Sequence, residues 1–169
     1  MMCRLATHGL THEVEQLTAR YFEIIDRLYG DVSPTHGARQ LLSTAQSQNC
    51  RVAVVTSNSS ERTSAWLARV GLTGFVDFIV SGEQVKYGKP DPEPYLLASQ
   101  IVDCPVDRII AIEDSVQGAT SAIGAGLYTY LLTPACKAPF AHEGAVPVLS
   151  LEHIADDLWG GKRSPQPSQ

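Results

Sequence analysis

Residues 109–126 read IIAIEDSVQGATSAIGAG, and this stretch decides the fold. Ile109 to Ile112 form a short apolar run that stops at two carboxylates, Glu113 and Asp114, as a buried strand does where it meets a loop. Ala119 to Ala125 predict a helix built of small residues, and Tyr128 to Leu132 a further strand. A strand, a helix and a second strand in close succession form a βαβ unit, which makes the sheet parallel.

The same alternation extends on both sides. Arg51-Val-Ala-Val-Val-Thr56 is β-branched and bounded by polar residues, which predicts a fully covered strand. A helix follows it. Asn58 and Glu61 have the spacing of a capping box, Trp66, Leu67 and Val70 supply an apolar face, and Gly71 stands where a C′ residue should. Phe75 to Val80 read as the next strand. Asp91-Pro92 opens another helix through Tyr95, Leu96, Leu97 and Ile101. Val146 to Leu149 predict a short edge strand, with Ser150 capping a last helix that holds Ile154 and Leu158. Upstream, Val14, Leu17, Tyr21, Ile24, Ile25 and Leu28 recur at helical steps until Gly30-Asp31 and Ser33-Pro34 break the pattern. The fold class is therefore α/β: a Rossmann-like parallel sheet with flanking helices. The tail from Gly160 to Gln169 is expected to be disordered.

Composition narrows the class of function. The chain has 169 residues, 44% hydrophobic and 18% charged, which suits one globular domain and excludes fibrous or disordered readings. No apolar run approaches the roughly 20 residues that span a bilayer, and the N-terminus lacks a signal-peptide core, so a soluble, cytoplasmic protein is expected. Net charge is −5, and the longest basic cluster is Lys162-Arg163; a nucleic-acid partner has no electrostatic footprint. Cys3, Cys50, Cys104 and Cys136 lie far apart, which favours free thiols over a zinc site or a disulfide framework. His8, His12, His36, His142 and His153 form no set at metal-ligand spacing.

Ligands of parallel α/β sheets collect at the carboxyl ends of the strands, and three polar groups fall there. Thr56-Ser57-Asn58-Ser59-Ser60 follows a strand and begins a helix, where hydroxyls and open backbone N–H groups suit an anion. Lys89 sits between Gly88 and Pro90 near a helix start. Glu113 and Asp114 end a strand as paired hard oxygen donors of the kind Mg²⁺ takes. Each has a plainer reading taken alone: a helix cap, a solvated lysine, a polar loop with a capping Asp. In order along one chain, the three suit a phosphate and a magnesium ion.

On these residues the chain resembles the haloacid dehalogenase superfamily. VAVVTSNSS (52–60), SGEQVKYGKPDPEPY (81–95) and IAIEDSVQGATSAIGAG (110–126) look like its second, third and fourth motifs. The nearest subgroup is the helical-cap one that includes phosphoglycolate phosphatase and β-phosphoglucomutase. The resemblance implies a Mg²⁺-dependent phosphatase of small phosphorylated metabolites working through an aspartyl phosphate. It assigns Thr56, with the backbone of Ser57 and Asn58, to the phosphoryl group. Lys89 would neutralise that group and orient the nucleophile. Glu113 and Asp114 would hold Mg²⁺, while Ser115 and Gly118 shape the loop. A catalytically dead phosphate-binding or interaction module, and a phosphomutase of the β-phosphoglucomutase type, are the alternatives.

The resemblance also makes residues 1–32 the last part of a helical cap, 33–159 the α/β core and 160–169 a tail. Within the cap helix Glu13, Arg20, Glu23 and Arg27 read as a solvated face. The family's first motif is a strand ending in Asp-x-Asp-Gly-Thr, which carries the nucleophile and the general acid–base. No Asp-x-Asp occurs in these 169 residues; Asp26 and Asp31 follow no strand-like run. The expectation is a core short of its central strand, with two strands facing a gap, and a chain that is truncated and inactive by itself.

Overall fold

The computed structural model describes residues 11–133 and 143–160. His8, His142, Cys3, Cys136, the expected tail from Gly161 on and the side chain of His12 lie outside the described residues. The chain divides into two compact units, 1–33 and 34–169.

Among the described residues the first unit holds one helix, α1 (Thr11–Asp31). Its apolar stripe is largely solvent-facing: Leu17, Tyr21, Ile24 and Leu28 are all exposed, as are Glu13, Arg20, Glu23 and Arg27.

The second unit begins with α2 (Ala38–Ser47), a helix that no single apolar run announces: only Leu41 and Ala45 are buried from it. Next come β1 (Ala53–Val55) and α3 (Ser60–Arg69), then β2 (Phe78–Val80) and α4 (Glu93–Val102). β3 (Ile110–Glu113), α5 (Val116–Gly124), β4 (Tyr128–Leu132), β5 (Ala145–Val148) and α6 (Leu151–Trp159) complete it. Among the described residues all pairings are parallel: Val54 lies opposite Ile79, Ile112 opposite Tyr130, and Tyr130 opposite Val146. This is the α/β, Rossmann-like arrangement expected, and the strand over Tyr128–Leu132 matches residue for residue.

Several boundaries differ from the sequence reading. The predicted strand over 75–80 is a 3₁₀ turn (Thr73–Phe75) followed by β2, because Gly74 and the Asp77 side chain favour a turn. Asp77 accepts the Val52 N–H at 2.7 Å, clamping the start of the neighbouring strand. The cap of α3 is Ser59, not Asn58: its hydroxyl accepts the Arg62 N–H at 3.2 Å, and position 62 is not the Glu of a capping box. Gly71 does take the left-handed conformation after α3, at φ +69°. Asp91 accepts the Glu93 N–H at 2.9 Å, so α4 starts one turn-residue later than Asp91-Pro92 implied. Ser150 caps α6 through the His153 N–H at 3.4 Å.

The largest correction concerns cover. β1 was expected to be fully covered, yet Ala53 is exposed and Val54 and Val55 are half-buried. The physical reason is the sheet itself. Among the described residues β1 pairs with β2 alone, β3 pairs with β4 alone, and β1 and β3 are not hydrogen-bonded to each other. A strand with one bare flank cannot be enclosed. Ile110 and Ile112 of β3 are likewise 38% and 37% exposed. Unpaired ladder groups beside exposed isoleucines template association. Ile112→Lys is therefore expected to keep the 169-residue chain monomeric at higher concentration, read by size-exclusion chromatography with light scattering. An unaltered association profile would show that this edge is not the adhesive surface.

Two clusters fill the faces of the β3–β4–β5 sheet. On one face Leu41 of α2 and Leu151 and Ile154 of α6 pack on Tyr130. On the other, Tyr95 of α4 and Ala122 of α5 pack with Ala111, Ala125 and Leu127, and Val55 of β1 joins them. Small residues on α5 let that helix lie close to the sheet, as Ala119 and Ala122 show by their complete burial. This second face is the one that builds the site.

Candidate active site

Alternation along β3 decides what faces the site. Ala111 and Glu113 are buried while Ile110 and Ile112 are exposed, so Glu113 points toward α4 and α5. A buried carboxylate is costly unless it is paired and hydrogen-bonded. Here it is both. Lys89 Nζ and the Tyr95 hydroxyl both donate to Glu113 Oε1. Lys89 Nζ also donates to the Val55 carbonyl at 3.0 Å. One ammonium thus joins the carboxyl end of β1 to the carboxyl end of β3, although no ladder connects those strands. The ammonium lies 5.2 Å from the centre of the Tyr95 ring, within cation–π range. Burial, then the adjacent Glu113 carboxylate, push the Tyr95 phenol far up, so it stays a donor.

The other oxygen of the carboxylate, Oε2, faces a helix. A Cβ built on Gly118 would lie 1.9 Å from Glu113 Oε2, so any side chain there must displace the carboxylate. Ser115 caps α5 by accepting the Gly118 N–H at 3.0 Å. These two residues shape the loop, and the packing gives each a reason. Asp114, one residue beyond Glu113, is exposed. The two carboxylates that look equivalent in sequence therefore have different environments.

The loop bearing Lys89 is held from below. Glu93, in the first turn of α4, accepts the Lys86 N–H at 2.9 Å and the Tyr87 N–H at 2.8 Å. Those two bonds hold its carboxyl below the ordinary glutamate range. A depressed carboxyl adds stability that is present above its unfolded value and lost as pH falls through the folded one. Glu93→Gln is expected to lower the melting midpoint at neutral pH, with the gap to wild type closing as pH falls below the ordinary glutamate range and through the depressed folded value. A gap independent of pH would mean that charge at Glu93 does not hold the loop.

The Thr56 loop follows β1. Thr56 N–H donates to the Val80 carbonyl at 2.9 Å, and Thr56 Oγ1 accepts the Asn58 N–H at 3.1 Å. At the start of α3 the Ser60 N–H donates to Glu83 Oε2 at 3.1 Å. Several amides read from sequence as open to an anion are thus already engaged. Gly82, unremarked in sequence, lets the β2 loop meet this one: a Cβ on it would lie 2.8 Å from the Ser57 carbonyl oxygen.

Lys89, Glu113 and Tyr95 are brought into direct contact, with Val55 linking Thr56 to them by one residue. Tyr95 was legible only as part of a helix face. Its signal was spacing: it stands four residues after Asp91, about one helical turn along the segment that follows Lys89. Among the described residues no three His, Cys, Asp or Glu side chains come together to hold a metal ion. Cys50 and Cys104 are free, and no described helix is long and apolar enough to cross a membrane. His36 Nδ1 donates to Glu152 Oε1 at 2.8 Å and lies outside the site.

A parallel sheet whose polar side chains gather at the carboxyl ends of the strands, over small-residue helices, defines an α/β protein of the Rossmann-like class. Sequence comparison makes that specific. The chain belongs to the haloacid dehalogenase-like hydrolase family, whose model matches residues 5–132. It is 31% identical over 115 residues to phosphorylated carbohydrates phosphatase of Thermotoga maritima, covering 68% of this chain and 53% of that protein. It is also 31% identical over 118 residues to hexitol phosphatase A of Escherichia coli, covering 70% and 54%. The crystal structure of CbbY from Rhodobacter sphaeroides in complex with phosphate aligns with a TM-score of 0.67 at 28% identity. That alignment covers 78% of this chain and 61% of CbbY. The chain spans about half the length of the two phosphatases.

Proposed function

We propose that this chain carries the phosphate- and magnesium-binding edge of a phosphatase acting on small phosphorylated metabolites. The observation that carries the reading is Lys89, whose ammonium holds the ends of β1 and β3 together. An ammonium has three donors; two are directed at Val55 and Glu113, and the third is available to a phosphoryl oxygen. The Thr56 hydroxyl oxygen accepts from Asn58, so its own proton can be donated outward to the same group. Ser57, exposed beside it, would add its backbone N–H, whereas the Asn58 amide serves Thr56 first.

Mg²⁺ takes about six oxygens in octahedral geometry and commonly uses one or two carboxylates with phosphate oxygens and water. The donors present suit that ion in part. Asp114 is exposed and uncommitted to Lys89, and would be the direct ligand; Glu113, tied through Oε1, would support it. When bound, the ion would neutralise charge developing on the phosphoryl group. Residues 1–32 as part of a helical cap and 33–159 as the core belong to the same proposal, as does a cytoplasmic location.

The 169 residues contain no Asp-x-Asp, and Lys89, Thr56, Glu113 and Asp114 include no activated nucleophile. For this chain alone the proposal is therefore binding of phosphate and Mg²⁺ without turnover. Calorimetric titration with inorganic phosphate in the presence of Mg²⁺ should give a saturable signal. An aryl phosphate incubated with the same protein should not be hydrolysed. Hydrolysis that disappears in Lys89→Ala would overturn the second half of the proposal.

A further inference from the structure

We propose that Tyr95 is a positioning residue for Lys89: its hydroxyl fixes the Glu113 carboxylate, and through it the direction of the lysine's remaining N–H. The inference rests on the reading of Lys89 as the phosphate-binding cation.

Four observations carry it. Tyr95 is 7% exposed and its hydroxyl is spent on Glu113 Oε1, the same oxygen that Lys89 uses. The opposite oxygen, Oε2, lies against Gly118, where no side chain can intervene. The ammonium also rests over the Tyr95 ring, so one side chain touches both members of the pair. The backbone of Tyr95 is itself anchored, its N–H donating to the Pro92 carbonyl at 3.1 Å. A carboxylate has about four lone-pair directions and a single rotation about its last bond. With Tyr95 and Gly118 both in place only one rotation is allowed, and Lys89 must meet it. Without the hydroxyl the carboxylate can turn, and the third N–H of Lys89 no longer has a unique aim.

Tyr95→Phe separates these functions, because the ring and its packing stay and only the hydroxyl goes. The full 169-residue chain, labelled with ¹⁵N-lysine, gives an ammonium signal for Lys89, assigned by its absence in Lys89→Arg. In wild type this signal should be sharp and slow to exchange with water; in Tyr95→Phe it should shift and broaden. Affinity for inorganic phosphate, by calorimetry, should weaken about tenfold, the equivalent of one hydrogen bond to a charged group.

An unchanged Lys89 signal with unchanged phosphate affinity overturns the proposal. A changed signal with unchanged affinity overturns it too, since the direction of the N–H would then not matter to phosphate. If wild type binds no phosphate, the reading of the site fails, and the ammonium signal alone judges whether Tyr95 positions Lys89. Should Tyr95→Phe fail to fold, fluorotyrosine incorporation keeps the hydroxyl and alters its donor strength. The Lys89 signal must then move, and its failure to do so counts against the proposal.

Discussion

Lys89→Ala is expected to lower the stability of the chain by about 3–5 kcal/mol, read as a shift of the urea midpoint. The Lys89 and Glu113 side chains are 13% and 7% exposed, so the pair is shielded from water on both sides. Removing the ammonium strands a buried carboxylate whose remaining partner is a neutral phenol. The Val55 carbonyl at the end of β1 loses its donor as well. The penalty comes from the uncompensated charge rather than from the worth of the pair, and this can be checked. Adding Glu113→Gln to Lys89→Ala should recover a large part of the loss, because no charge is then left buried. A single-variant cost below 1 kcal/mol, or a double variant no better than the single, would contradict the burial of this pair. Phosphate affinity should vanish in both variants.

Gly118→Ala is expected to cost about 1–3 kcal/mol, the range of overpacking in a tight interior. Alanine ordinarily gains up to about 1 kcal/mol over glycine inside a helix, so propensity alone would have the opposite sign. The clash decides: the new Cβ would fall 1.9 Å from Glu113 Oε2 and 2.1 Å from its Cδ. A carboxylate at the end of a free side chain would swing away at little cost. This one is held by Lys89 and Tyr95, so either those bonds or the start of α5 must give. Combining Gly118→Ala with Glu113→Ala should make the glycine replacement neutral or stabilising. A double-mutant cycle without coupling would show that something other than the carboxylate requires glycine there.

Much of the site's outline was legible. Lys89 was singled out for its fixed backbone between Gly88 and Pro90, and Glu113-Asp114 for ending an apolar run; both do lie at the carboxyl ends of strands. What was not legible is how the two carboxylates divide. Alternation along Ile110-Ala111-Ile112-Glu113 held the signal, but the direction of each face depends on which helix covers it, and α5 covers the Ala111 face. Asn58 is read as the cap of α3 from its capping-box spacing to Glu61; residue type ranks Asn and Ser alike, and the extended backbone at Ser59 decides for the neighbour. α2 was not legible because Leu41 is buried against Tyr130, Leu151 and Ile154, partners more than eighty residues away on β4 and α6.

By itself, then, the sequence determined the kind of fold and the order of its parts. Apolar runs of strand length alternate with helical spacing, and local chemistry such as Ser150 at a helix start or Gly71 at a helix end needs no distant partner. Only the tertiary structure decided that Lys89, Tyr95 and Glu113 form one hydrogen-bonded group, with Gly118 closing it. Those residues span four segments of chain, and a buried charge acquires a role only when its neutralising partner arrives through space.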